Sequence, residues 1–476
     1  ILWITGELGV GKSRLADEWL RHMEMNSVTI LRGRFREDSA PMEGLREALS
    51  PLFDESKRKA LHLPHNALQE DLVEDLKGVM EPTQEAPDSR QRSGQDWALA
   101  TIEHTLYALA KRRPTVMLLE DLHWADSFSL RLVERWKEEM ATRAIPLVLV
   151  FTQRSEKAHA SHRPTHMNTR AIRAFNYAFD LHLERLADEE SEALLDDLLP
   201  FEHELRARVV QTARGNPLYL TQIVRYLIEE ELLELHQESA RWGISEEHRE
   251  KLGHELLPPD LRALLMQRVK VQLSQHRLSA VLDQLLVRGM LLGNRFELRL
   301  LKEMLKVEGR GDLEAYLDDA LEAFTQSGVL IPTVIDGRSG LEFGYEMLRS
   351  SLLDEQPHEE LARLHVLAAN AKKTYYEQRD PTQLDLYAHE LAHHWSESGD
   401  VERAFKWLMR AARAAERAQD FRQALDYLRQ AGQRLSPELD PNGEHLLEIR
   451  LSEGRMFRFL GEFAPAEDAL REAIEE

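Results

Sequence analysis

Four short apolar runs punctuate the first third of the chain: Ile1–Thr5, Val28–Arg32, Val116–Leu119 and Pro146–Thr152. Each is nearly free of polar residues, and helical patterns separate them. Strands that read as continuous apolar runs belong to a parallel sheet with helices on both faces. Residues 1 to about 155 are therefore expected to form an α/β sheet domain. Between Asp54 and Gln95 the pattern turns polar, with Pro64, Pro82 and Pro87, and predicts a helical excursion followed by a loop. From Leu181 to Leu235 the period is helical, interrupted at Arg214-Gly215-Asn216-Pro217, and residues 236–256 read as a polar linker.

Residues 257–353 mix helices with VLIPTVIDGRSGLEFGY, whose Asp-Gly between two apolar runs predicts a β-hairpin. Three helices followed by a hairpin is a winged-helix pattern. Beyond about residue 355 the period is helical throughout. One spacing recurs there: Ala404, Leu408, Ala411; Ala424, Leu428, Ala431; Ala466, Leu470, Ala473. Small residues flanking a larger one suit the close approach of stacked helix pairs in a degenerate tetratricopeptide-like solenoid. The expected division is a P-loop domain over 1–178, a helical domain over 179–240, a winged helix over 241–354 and helical repeats over 355–476. The fold class is multidomain, α/β followed by mostly α.

Composition narrows the function. The chain has 61 basic and 83 acidic residues among 476, a net charge of −22, which argues against a surface that is one large nucleic-acid footprint. No cysteine is present, so disulfides, thiolate chemistry and zinc–thiolate sites are excluded. No run approaches the roughly 18 apolar residues a membrane span needs, which makes the cytoplasm the default expectation. The chain starts at Ile1, one strand before a phosphate-binding motif, and ends at Glu476 within a helical pattern. It is expected to be a segment of a larger protein with an output domain elsewhere.

The chemistry begins at Gly6-Glu7-Leu8-Gly9-Val10-Gly11-Lys12-Ser13, which fits G-x-x-x-x-G-K-[ST] between a predicted strand and a predicted helix. The glycines let backbone N–H groups wrap phosphates, Lys12 reaches the β- and γ-phosphates, Ser13 ligates Mg²⁺, and the helix N-terminus adds positive potential. The binding set is Gly6, Gly9, Val10, Gly11, Lys12, Ser13 and Arg14. Val116-Met117-Leu118-Leu119 leads into Glu120-Asp121, a strand ending in paired carboxylates. One acid would hold Mg²⁺ and the other would orient or deprotonate water. Glu120 is assigned to the metal and Asp121 to the water, although adjacent acids can exchange these roles.

GELGVGKS at 6–13, LLEDLHWAD at 118–126, LVFTQRSE at 149–156 and ARGNPLYL at 213–220 together resemble the STAND class, signal transduction ATPases with numerous domains, related to AAA+ enzymes. Within that class the likeness is to the bacterial branch of MalT-like activators and the ATPase parts of multidomain cyclases and Ser/Thr kinases. The resemblance implies adenine nucleotide, with ATP/ADP and Mg²⁺ as cofactors. It implies that Arg154 reads the γ-phosphate. It also implies that Gly215, Asn216 and Pro217 form a GNP turn near the base, coupling the helical domain to the nucleotide. His123, Trp124 and Asp126 match the tail of the carboxylate motif in packing roles. Gly33-Arg34-Phe35 and Ala40-Pro41 resemble the loop after the second strand. The family's winged helix often carries F-x-H-x-x-x-R; here Phe343 and Arg349 fit but Tyr345 replaces the histidine. A tyrosine can hydrogen-bond a phosphate but carries no positive charge near neutral pH.

His389-Glu390-Leu391-Ala392-His393 is a formal H-E-x-x-H match with zinc-binding spacing on a helix, but no third ligand accompanies it, Glu416 matching by distance alone. Packing is the expected role of this segment, as of His394 and Trp395. The expected function is a slow ATPase switch, with ADP holding the domains closed and ATP favouring an open, self-associating state. Its inducer, a protein or small molecule, would bind the C-terminal helices. Nucleic acid would be met only through an output domain outside this segment, and no membrane is involved. The other class considered is an AAA+ ATPase that remodels or loads nucleic acid or protein, which predicts fast turnover and a basic recognition helix.

Overall fold

A computed structural model describes residues 1–24, 28–36, 42–54, 68–80, 95–140, 145–155, 179–237, 239–245, 248, 257–335, 337–418, 420–436 and 438–475. Ala40, Pro41, Pro64, Pro82, Pro87 and most of the expected 236–256 linker lie outside these residues.

Five parallel strands form the N-terminal sheet: β1 (Leu2–Gly6), β2 (Thr29–Arg34), β3 (Thr115–Glu120), β4 (Leu147–Arg154) and β5 (Phe179–Leu183). Their spatial order is β2-β3-β4-β1-β5. Side chains alternate between two apolar layers. Trp3, Leu31, Met117, Leu119 and Phe151 pack with the helices Glu43–Phe53, Gln95–Arg112 and Ser127–Met140. Ile4, Val116, Leu118 and Val150 pack on Ala16 and Leu20 of the helix Lys12–Glu24. Burial on both faces is why β1, β3 and β4 read as apolar runs, whereas β2, at the sheet edge, buries Thr29, Leu31 and Gly33 and leaves Arg32 and Arg34 exposed.

The strand β5 corrects the reading of helix from Leu181. Its residues Phe179 to His182 are exposed and alternate apolar with polar. An edge strand with little core to fill carries no continuous apolar signal. A second strand pair, β6 (Leu233–His236) and β7 (Arg241–Ile244), is antiparallel and occupies the start of the stretch read as linker.

Between them lie the helices Asp188–Leu198, His203–Ala213 and Pro217–Glu229. The helices Leu261–Gln275, Ser279–Leu292 and Leu298–Glu308 follow. Then β9 (Leu330–Ile335) and β10 (Arg338–Phe343) form the hairpin, with Gly337 in left-handed conformation at its turn. The short strand β8 (Arg295–Glu297) adds to the other edge of β10. The long helix His358–Arg379 leads to Ala388–Glu397, Val401–Arg417, Phe421–Gly432, Glu444–Phe459 and Phe463–Glu475, each of these packing on the next. Ala404, Leu408, Ala411, Ala424, Leu428, Ala431, Ala466 and Ala473 are buried, whereas Leu470 stays 39% exposed on the last helix.

Gly33 fixes how closely the helix Glu43–Phe53 approaches the sheet. A Cβ there would lie 1.9 Å from the carbonyl oxygen of Gly44, and a Cβ on Gly44 would lie 2.7 Å from the Phe35 ring. Backbone cannot yield as a side-chain tip can. Gly33→Ala is expected to destabilise the protein by at least about 1–3 kcal/mol, the range for overpacking a core, measured as a fall in the denaturation midpoint. An unchanged midpoint would show that the helix is free to move away.

Candidate functional site

The loop Gly6–Ser13 leaves the C-terminal end of β1 and enters the helix Lys12–Glu24. Its turn requires positive φ at Gly9 and Gly11, 82° and 100°. The Lys12 ammonium donates to the carbonyls of Gly6 at 3.1 Å and Glu7 at 2.7 Å. Burial lowers the Lys12 pKa to about 8; Asp121 and Glu7 oppose the shift and Arg154 adds to it. Lys12 is thus a desolvated cation for which a bound anion is the natural partner.

The carboxylates lie two strands away. Glu120 shares its face of β3 with Val116 and Leu118, which pack on the helix that starts at Lys12. Its side chain therefore points to the same side of the sheet as Ser13. It is buried, and Oε2 accepts from Arg32 Nη2 at 2.6 Å and Nε at 2.9 Å. Arg32 also pairs with Asp17 at 2.6 Å. The other Glu120 oxygen, Oε1, is buried with no hydrogen-bond partner among the described residues. Asp121 takes the left-handed conformation, φ 54° and ψ 45°. Its N–H donates to Thr152 Oγ1 of β4 at 2.9 Å, and its Oδ2 accepts from Arg34 Nε at 2.8 Å. A left-handed non-glycine residue costs on the order of 1 kcal/mol and persists where neighbours hold it.

Arg154 ends β4 opposite Gly6 in the parallel register, and the N–H of Ser155 donates to the Gly6 carbonyl at 3.1 Å. The GNP turn is docked on the loop itself. Asn216 Nδ2 donates to the Leu8 carbonyl at 2.8 Å, and the N–H of Leu218 donates to the Gly9 carbonyl at 3.2 Å. Asn216 Oδ1 accepts from the N–H of Tyr219 at 3.1 Å, capping the helix whose first residue is Pro217. Arg214 and Gly215 are left-handed, and a Cβ on Gly9 would lie 2.6 Å from Asn216 Oδ1. Arg185 ties the same region down through Glu7, at 2.6 Å, and the Arg214 carbonyl.

Lys12, Ser13, Asp121, Arg154 and the GNP turn thus gather around one loop. Other residues singled out in the sequence go elsewhere. The Tyr345 hydroxyl accepts from Gln222 Nε2 at 2.8 Å, and Arg349 Nε donates to the Met290 carbonyl at 2.7 Å. Asp126 accepts from the Met42 and Ser129 N–H groups at 2.8 and 3.0 Å, and the His123 and Trp124 rings lie against each other. Glu390 of the H-E-x-x-H segment pairs with Lys372 at 2.5 Å, while His389 Nδ1 lies 3.0 Å from the Leu386 carbonyl. Among the described residues no group of three or more His, Asp or Glu is placed to hold a metal ion. Arg32 was missed as a partner of the acids. Its signal is an arginine at 32 and another at 34 on one face of an otherwise apolar strand.

A glycine loop at the end of β1, a buried lysine behind it, and an acid-tipped β3 separated from β1 by β4 define a P-loop nucleoside triphosphatase. Residues 1–151 match the family model described as AAA ATPase domain, which supports an ATPase. Among solved structures the chain is similar to a STAND protein with a tetratricopeptide repeat sensor from Pyrococcus horikoshii, at 14% identity and TM-score 0.44. That match covers 100% of this chain but 61% of the other, so the chain spans about three-fifths of that protein's length. It is also similar to Cdc6p from Pyrobaculum aerophilum, at 12% identity and TM-score 0.32, over 74% of this chain and 86% of that one. A third similarity is to the ORC2 protein of Aeropyrum pernix, at 12% identity and TM-score 0.30, over 74% and 87%. No curated protein matches the chain. No helix among the described residues is long and apolar enough to cross a membrane.

Three outcomes are expected. A lysine with a pKa of about 8 in the free site is held protonated to higher pH by bound phosphates. Affinity for ATP should then be flat below pH 8 and weaken about tenfold per pH unit above it, as proton linkage requires. Titration with a fluorescent ATP analogue from pH 7 to 10 measures this, and a flat profile would contradict it; Lys12→Ala should abolish binding. Asn216→Ala removes both the cap and the Leu8 contact, and is expected to cost about 1–2 kcal/mol in chemical denaturation.

Proposed function

We propose that the chain is a nucleotide-controlled switch of the STAND class, binding adenine nucleotide at Gly6–Ser13 and hydrolysing ATP slowly. What supports this most directly is the hydrogen bonding of Asn216 and Leu218 to the Leu8 and Gly9 carbonyls. A loop that changes shape with its phosphates cannot do so without disturbing the helix Pro217–Glu229. The occupancy of the site and the position of the helical part are therefore energetically linked.

In this reading Lys12 and the loop N–H groups hold the phosphates, and Arg154 faces the terminal one. Ser13 and Glu120 would hold Mg²⁺, and the buried Oε1 of Glu120, which lacks a hydrogen-bond partner among the described residues, suits that role. Bound there, the ion would neutralise phosphate charge. Asp121 orients the attacking water and accepts its proton, released for that from Arg34. Three helices with the β8–β10 sheet serve as a winged helix, and the C-terminal helices serve as a tetratricopeptide-like sensor. A protein or small-molecule inducer bound to those helices favours exchange of ADP for ATP and an open, self-associating state. The output that the switch controls is transcriptional or enzymatic.

Denaturing the purified protein and quantifying the nucleotide set free should give near-stoichiometric ADP; an empty site with brisk ATP turnover would sink the switch in favour of a motor. Asp121→Ala should slow single-turnover hydrolysis by at least about a hundredfold while leaving nucleotide affinity near wild type. Equal turnover in that variant would remove Asp121 from the chemistry.

A further inference from the structure

Tyr345 is the residue at which this chain departs from the pattern it otherwise resembles, and its surroundings give it a different task. It follows β10 and precedes the helix Glu346–Asp354. Its hydroxyl accepts a hydrogen bond at 2.8 Å from Nε2 of Gln222, a side chain that is only 5% exposed. Gln222 Oε1 in turn accepts from Nη1 of Arg268, which is 4% exposed. The remaining Arg268 nitrogens donate to both Glu229 oxygens at 2.8 Å, and Gln272 donates to the same carboxylate at 3.0 Å.

Donor chemistry fixes the orientation of this chain of bonds. A guanidinium only donates, so the Gln222 oxygen must face Arg268 and its NH₂ must face Tyr345. Turning the amide over would set donor against donor in a buried site. Tyr345 is thus the acceptor that completes a fully oriented network.

Gln222 lies in the helix Pro217–Glu229, whose first turn is hydrogen-bonded to Leu8 and Gly9. Six residues separate it from Asn216, about 9 Å along the axis at 1.5 Å per residue. A second contact reaches the sheet domain directly: Glu342 of β10 lies 3.7 Å from Nε of Arg36, just beyond β2. The β10 region is therefore in contact both with the helix Pro217–Glu229 and with the end of β2.

We propose that Tyr345 is a positioning residue that acts on the phosphate-binding loop through Gln222 and the helix Pro217–Glu229, without touching the nucleotide. The proposal rests on the reading of Gly6–Ser13 as the nucleotide site, but not on which nucleotide the resting protein holds. Tyr345→Phe removes one oxygen and strands the Gln222 NH₂. Gln222→Leu removes the partner while keeping an apolar shape. Gln222→Glu keeps the network, since a carboxylate accepts from both Arg268 and the Tyr345 O–H.

The test is the release rate of fluorescent ADP and ATP analogues from the full chain after a chase with unlabelled nucleotide, with thermal melts in parallel. Tyr345→Phe and Gln222→Leu should each speed release about five- to tenfold, the effect of one lost buried hydrogen bond. The double variant should be no faster than either single one, and Gln222→Glu should release at the wild-type rate. Faster release in Tyr345→Phe alone would place the hydroxyl on the nucleotide and overturn the proposal. Effects that multiply in the double variant, or melts that fall while release stays unchanged, would overturn it as well. If Tyr345→Phe does not fold, the contrast between Gln222→Leu and Gln222→Glu carries the test: equal release rates in these two variants would overturn the proposal. Wild-type protein that binds neither analogue would instead reject the nucleotide reading itself, before any variant is compared.

Discussion

The carbonyls of Leu8 and Gly9 constrain everything else in this molecule. A loop that turns its N–H groups inward to receive phosphate turns carbonyls outward, and those carbonyls need donors of their own. Here the donors come from Asn216 and Leu218, some two hundred positions along the chain, and from Lys12 for Gly6 and Glu7. The sharp turn at Arg214-Gly215, both left-handed, exists to bring Asn216 and the first turn of its helix to that spot. Loop and helix consequently share one set of hydrogen bonds. Neither can be rearranged without cost to the other.

Charge compensation is the second constraint. The chain carries a net charge of −22, yet its two site acids are each matched by an arginine from β2. Arg32 holds Glu120 within a buried face, and Arg34 holds Asp121 at the strand end. Without them, two adjacent carboxylates at the end of an apolar strand would repel each other uncompensated. In the proposed nucleotide site, phosphates and a cation would compete for these same four groups.

Much of this was legible in the sequence, and the failures have physical causes. The strands β1, β3 and β4 announced themselves because burial on both faces demands apolar runs, and β2 showed through the β-rich stretch Val28–Leu31. The strand β5 did not, since an exposed edge strand is chosen by pairing and not by packing. The hairpin β6–β7 was hidden for a related reason: Leu233 to His236 are largely exposed, and only Gly243 and Ile244 are buried. Site residues carried by fixed spacing, from Gly6 to Ser13 and Glu120-Asp121, could be named from their motifs alone. Partners that come from distant segments could not: Asn216 meets the loop backbone at Leu8, Tyr345 meets Gln222, and Arg32, which carries no motif, meets Glu120.

What joins the legible and the illegible parts is β4. It lies between β1 and β3, so the loop and the acids are separated by two strand spacings, about 10 Å at roughly 4.8 Å each. That separation leaves room for phosphoryl groups and a water, which adjacent strands would not. The strand also equips the gap it creates. Thr152 holds the backbone of Asp121 in its left-handed turn, and Arg154 stands opposite Gly6. A shift of β4 by one residue would exchange these inward and outward positions, because side chains alternate along a strand. Its register is pinned by Leu149 and Phe151 in one core layer and Val150 in the other. The apolar run that first marked β4 as a strand is therefore also what fixes the spacing of the chemistry.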